Sequence, residues 1–263
     1  MEVGSMNKFF KSLKRDGHIG LHVIYFILRL LVVLVAIDQL RSRNFENLFL
    51  CILTLVLFLV PSFIEKRIHI DIPDALEVII LLFIFSAEIL GEIQEYYILF
   101  PYWDTVLHTI NGFLAAAIGF SLIDILNKND KFAISLSPVF VALVAFCFSM
   151  TIGVLWEFFE FGVDHLTGYD MQKDTFVHSF TSVLLNPEGT NVPVKVNVQS
   201  LVVNGEPWDA YIDLGLYDTM MDLIVNFIGA AVFSIVGYFY IKGRGKAFFI
   251  KGIIPRLKTK PEA

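Results

Sequence analysis

Charge is scarce in this sequence, and so are cysteine and histidine. Only 17% of the 263 residues are charged, 56% are hydrophobic, and the mean hydropathy is +0.67. So little charge does not suit an ordinary soluble domain and fits a polytopic membrane protein. The two cysteines, Cys51 and Cys147, sit inside apolar runs, so no disulfide is expected and both are read as core or lipid-facing residues. No P-loop, dinucleotide fingerprint, G-x-S-x-G or haem motif occurs, and there is no internal repeat or low-complexity tract. Basic residues are juxtamembrane and scattered, which argues against nucleic acid as a partner. A cleavable leader is not expected either. Lys8, Lys11, Lys14 and Arg15 precede a long apolar run with no small-x-small site after it, so that run is read as an uncleaved first span.

What the chain has is long apolar runs. They predict an all-α, polytopic membrane helix bundle of about six transmembrane helices, near 19–40, 47–64, 74–95, 103–126, 137–161 and 217–241. Residues 1–263 are read as a single integral-membrane domain. Pro73 and Asp74 form a helix-start signal for the third span. With the N-terminus inside, fifteen Lys and Arg lie on the cytoplasmic side and four outside, with Arg29 inside the first span. That asymmetry predicts a multi-pass cell-membrane protein with both termini cytoplasmic and membrane lipids as its partners. Residues 162–216 then form an extracytoplasmic loop, and 242–263 a basic cytoplasmic tail resting on anionic lipid. Alternation from Val192 to Val198 and the turn signal Asn204-Gly205 predict a small β-hairpin or lid in the loop.

The stretch LYDTMMDLIVNFIGA carries Asp218, Asp222 and Asn226 at i, i+4 and i+8, one face of a helix. Charged groups within a span cost about 2.5–3.5 kcal/mol each at mid-depth, so something must hold them. Glu88, Glu92 and Glu95 end the third span, Asp104, His108 and Asn111 open the fourth, and Glu157, Glu160 and Asp164 end the fifth. The topology puts all of these within about two turns of the outer surface, with the cytoplasmic halves nearly free of such groups. Three solutions are open: a divalent cation, protonated acids, or a wet cleft taking a cationic or sugar-bearing ligand. The first assigns Asp104, His108 and Asp222 as metal ligands to one zinc, manganese or iron ion. Glu157, Glu160 and Asp218 are then candidate catalytic acids, and Arg29, Asn226 and Trp156 candidate substrate contacts. Plainer readings stand beside these. Asp218 is placed as an N-cap and Trp156 as an interfacial anchor, while Arg29 is expected to face the bundle.

The strings YWDTVLHTINGFLAA, LWEFFEFGVDH and LYDTMMDLIVNFIGAA resemble the uncharacterised integral-membrane family that includes the inner-membrane protein YjdF. The likeness covers roughly residues 50–240, including PSFIEKRIHIDIPDALE and the Leu90–Glu92 LGE. More distantly the chain is similar to VanZ-like proteins, at Asp104, His108, Glu157, Asp222, Asn226 and Gly229, but differs from them in its extra N-terminal spans and long outer loop. The first resemblance implies a bacterial plasma-membrane protein, and the second a link to glycopeptide tolerance with no established reaction. Two functions follow. One is a metal-assisted hydrolase or transferase acting on envelope lipids from an outward-facing acidic and histidine pocket. The other is a non-catalytic membrane protein: a small-molecule or ion carrier, or an envelope scaffold.

Overall fold

The computed structural model describes residues 19–68, 70–127, 136–168, 170–243, 253–254 and 256–257. Lys8, Lys11, Lys14, Arg15, Lys128, Lys131 and most basic residues of the 242–263 tail lie outside the described residues. The helices are α1 (Ile19–Arg41), α2 (Phe45–Leu57), α3 (Val60–Ile68), α4 (Asp74–Phe85), α5 (Tyr96–Leu99), α6 (Trp103–Asn127), α7 (Pro138–Thr167) and α8 (Leu216–Lys242). Short strands β1 (Ile70–Asp71), β2 (Thr175–Val177), β3 (Ser179–Ser182), β4 (Val194–Asn197), β5 (Leu201–Val203), β6 (Glu206–Trp208), β7 (Tyr211–Asp213) and β8 (Arg256–Leu257) complete the fold. The protein is a polytopic, mostly helical membrane protein with small pieces of sheet. Among the described residues, five segments are long and apolar enough to cross a bilayer: Ile19–Arg41, Phe45–Arg67, Trp103–Asn127, Pro138–Thr167 and Leu216–Lys242.

The expected span at 74–95 is not one α-helix. It is α-helical to Phe85 and continues as a π-helix over Ser86–Ile93. The wider turn alters the hydrogen-bond ladder, and the indole of Trp103 donates to the Ser86 carbonyl at 3.3 Å. Gly91 lies under the Tyr97 ring, where a Cβ would collide. The fifth span is longer than expected and runs to Thr167.

The residues group into two compact units, 1–151 with 225–263, and 152–224. In the first, α1 buries the stripe Leu21, Tyr25, Leu28 and Val32 against Cys51, Phe58, Leu81 and Ile89. Its other faces expose Phe26, Ile27, Leu30 and Leu34, as a lipid-facing helix does. A second core gathers small residues of α6, Ala116 and Ala117, with Val141, Ala145, Ala230 and Phe233. Small residues let helix backbones approach closely. A Cβ on Gly112 would strike the carbonyl oxygen of Asn226, and one on Gly229 the carbonyl oxygen of Thr109. β1 and β8 pair antiparallel, Asp71 opposite Arg256, with Ile253 and Ile254 buried in this core.

In the second unit, β2 pairs with β7, β3 with β4, and β5 with β6, all antiparallel. The predicted Asn204-Gly205 turn is present, with φ of 53° and 91°, and joins β5 to β6. The alternating stretch forms β4, but its partner is β3 rather than the next strand. A segment strapped by side chains precedes β2. The Asp164 carboxylate accepts from the amides of Met171 at 2.6 Å and Gln172 at 2.9 Å. The Gln172 side-chain Nε2 donates to the Thr219 hydroxyl at 2.5 Å, and the Lys173 backbone amide donates to Asp218 at 2.8 Å.

Candidate functional site

The second unit brings three carboxylates together. Glu157 and Glu160 stand at i and i+3 on α7, and Asp222 faces them from the second turn of α8. They are 4%, 7% and 4% exposed, and one oxygen from each lies within 4.8 Å of the others. Trp156 donates its indole N–H to Glu160 at 2.8 Å, which holds that carboxylate in place. Trp156 is itself partly exposed, as an interfacial tryptophan would be.

The other expected metal ligands form a pair in the first unit. His108 is buried on α6, and its Nε2 lies 3.5 Å from Asp104 one turn earlier. Of the expected set, Asp104 and His108 thus belong to the first unit and Asp222 to the second.

The remaining candidates have structural surroundings of their own. Asn226 is 1% exposed. It accepts from the Asn111 amide at 3.4 Å and donates to the Ser149 carbonyl at 3.5 Å and the Met150 sulfur at 3.7 Å. The Ser149 hydroxyl in turn donates to the Gly112 carbonyl at 2.8 Å. Asn226 is therefore the centre of a polar seam joining α6, α7 and α8 within the first unit.

Asp218 is not the N-cap. α8 begins at Leu216, and Asp213 accepts from the Tyr217 amide at 2.8 Å, so Asp218 sits in the first turn and holds the Lys173 amide instead. Arg29 does not point inward. It is exposed on α1, with its guanidinium 4.8 Å from the centre of the Tyr25 ring. The ring face offers the cation a partner without burial. The Tyr25 hydroxyl donates to the buried Glu77 at 2.5 Å.

Two features escaped the sequence reading. Asp213 is buried, receives the Tyr211 hydroxyl at 2.9 Å and closes the start of α8. Its signal was available: an acid just ahead of Gly215, whose φ is 88°, but Asp218 competed for the cap. The other is polarity at the far end of the bundle. Glu77 in the first turn of α4 and Asp124 near the end of α6 are both buried, so the halves expected to be cytoplasmic are not free of acids. Asp124 lies about 24 Å along α6 from His108.

Outside the spans, slight desolvation and then the carboxylates of Asp170, Asp213 and Asp164 push Asp174 above the usual aspartate range, with Lys173 opposing. The hydrogen bond to Asp213, with some burial, raises Tyr211.

Comparison with known proteins agrees with this architecture. Residues 21–243 match the family described as Predicted membrane protein (DUF2238). An uncharacterized protein of Thermotoga maritima is 30% identical over 114 residues, 43% of this chain. The match spans 57% of that relative's length. No solved structure matches.

Proposed function

The chain belongs to the Predicted membrane protein (DUF2238) family, and from that premise we propose that Glu157, Glu160 and Asp222 hold a divalent cation used for hydrolysis or group transfer on an envelope-lipid headgroup. The observation that carries this reading is the burial of three carboxylates with oxygens within 4.8 Å of one another. At that spacing each ionised pair repels by about 3.5 kcal/mol at an effective dielectric near 20. A cation offsets this while leaving the acids charged. Three oxygen donors favour manganese among the metals expected, since zinc and iron sites commonly include imidazole or thiolate. Such an ion polarises a phosphoryl oxygen and lowers the pKa of bound water. Trp156 fixes Glu160, and Asp218 tethers the neighbouring strap.

Metal analysis of the purified protein tests the reading. Stoichiometric manganese or another divalent ion is expected in the wild type and is expected to be lost in Asp222→Asn and Glu157→Gln. Wild-type protein devoid of metal after purification in manganese-supplemented buffer would mean that protons neutralise the cluster, and would remove the proposed chemistry.

The carrier reading is favoured by Glu77 and Asp124, because a carrier needs polar groups toward both faces. Single cysteines at positions 108 and 222, labelled from each side in turn, separate the two. Labelling from one side supports the enzyme, and labelling from both supports a carrier.

A further inference from the structure

The strand-bearing unit contains a groove of about 730 Å3 that shares no residue with the carboxylate cluster. Its lining includes Val177, Phe180, Val196 and Val198, together with Leu216 and Tyr217. That volume falls within the range of about 300–1,000 Å3 common for small-molecule sites, and the lining is mainly apolar.

Two observations fix the chemistry of an occupant. The buried charge at the groove is already engaged. Asp213 accepts from the Tyr211 hydroxyl through one oxygen and from the Tyr217 amide through the other, at 2.9 and 2.8 Å. A cationic ligand would have to share these oxygens with the chain's own donors, whereas an uncharged hydrocarbon leaves them as they are. The other polar lining groups, the amides of Asn197 and Gln199 and the hydroxyl of Ser200, are on exposed residues.

The second observation is that the groove reaches α8. Leu216 and Tyr217 are 62% and 51% exposed and are the first two residues of α8, a membrane-crossing helix. The next turns of that helix expose Met220, Met221 and Ile224. The exposed apolar residues of the first turns of α8 therefore include two that line the groove.

We propose that this groove receives one aliphatic chain of a membrane lipid, drawn from the leaflet along the start of α8. The proposal stands whether or not the carboxylates hold an ion, so a metal-free protein leaves it untouched.

The test uses the full-length protein in nanodiscs containing phosphatidylcholine with a diazirine near the end of one acyl chain. After irradiation, adducts are mapped by mass spectrometry. The expected result is label on peptides carrying Phe180, Val196 or Val198, besides label on the helices. Val196→Trp, which fills the groove, should lower strand labelling several-fold and leave helix labelling unchanged. Melting of this variant in detergent checks its fold. Leu184→Asp, on a turn outside the groove, should leave strand labelling as in the wild type and serves as a second measurement. Adducts confined to the helices, or to the exposed Leu184–Leu185 turn, would overturn the proposal. So would strand labelling that Val196→Trp does not change in a variant that melts like the wild type.

Discussion

At the scale of single residues, Trp156 and Asp174 make the clearest predictions. Trp156 reaches Glu160 with a charge-assisted hydrogen bond at 2.8 Å. Partners that orient a ligating side chain typically change metal affinity by about 10–100-fold when removed. Trp156→Phe is therefore expected to weaken divalent-ion binding by at least about tenfold while keeping the ring, measured by competition with a chelating dye. Unchanged affinity would mean that Glu160 needs no such support. Asp174 predicts a pH effect. Its carboxyl is raised by slight desolvation and by Asp170, Asp213 and Asp164, so the folded chain binds that proton more tightly than the unfolded one. The stability this group contributes is present below its ordinary value of about 3.9 and is lost as pH rises through the raised folded value. Asp174→Asn removes that loss. Melts of the variant and the wild type should nearly coincide at about pH 4 and separate toward neutrality, with the variant higher. The difference should be small, because Asp174 is exposed and solvent screens it.

At the scale of elements, the crossing of α6 and α8 in the first unit rests on two glycines that face backbone rather than flexible side chains. A methyl at Gly112 meets the Asn226 carbonyl, and one at Gly229 meets the Thr109 carbonyl. Neither obstacle can swing aside, so Gly112→Ala and Gly229→Ala are each expected to cost about 1–3 kcal/mol in detergent unfolding. The double variant should cost less than the sum, since the first alanine already opens the crossing. The helices themselves were legible from hydropathy: α1, α6 and α8 begin and end within a residue or so of where apolar length placed them. Helical spacing likewise put Glu157 and Glu160 on one face of α7, but which acids Asp222 meets depends on how the helices are rotated and was not legible. Nor was the π-helix over Ser86–Ile93, since the apolar pattern of a lipid-facing helix barely distinguishes the two windings. The pairing of β4 with β3 was hidden for another reason. It spans the turn residues between Ser182 and Val194, and alternation reveals a strand without naming its partner. The expectations for Asp218 as the cap and for Arg29 differ from the structure because cap choice and side-chain direction depend on where a helix starts and how it is rotated.

At the scale of the whole molecule, the remaining question is which way the chain lies in the bilayer; charge gives an expected direction, and strand pairing says only which segments share a side. Fifteen basic residues against four set the expected orientation, with the 162–216 connection outside. β8 pairs with β1, so Arg256 and Leu257 lie beside Asp71 and Ile70, just after Lys66 and Arg67 at the end of α3. The tail and the connection after α3 therefore share a side, as the charge asymmetry requires of both. The native Cys51 and Cys147 can be replaced by serine and alanine to leave a chain without thiols. In intact cells, a membrane-impermeant maleimide is then expected to label Ser200→Cys fully and Asp71→Cys only after permeabilisation. Labelling of Asp71→Cys in intact cells with Ser200→Cys protected would invert the protein. The carboxylates of Glu157, Glu160 and Asp222 would then face the cytoplasm, and their substrate would have to be sought on the inner leaflet.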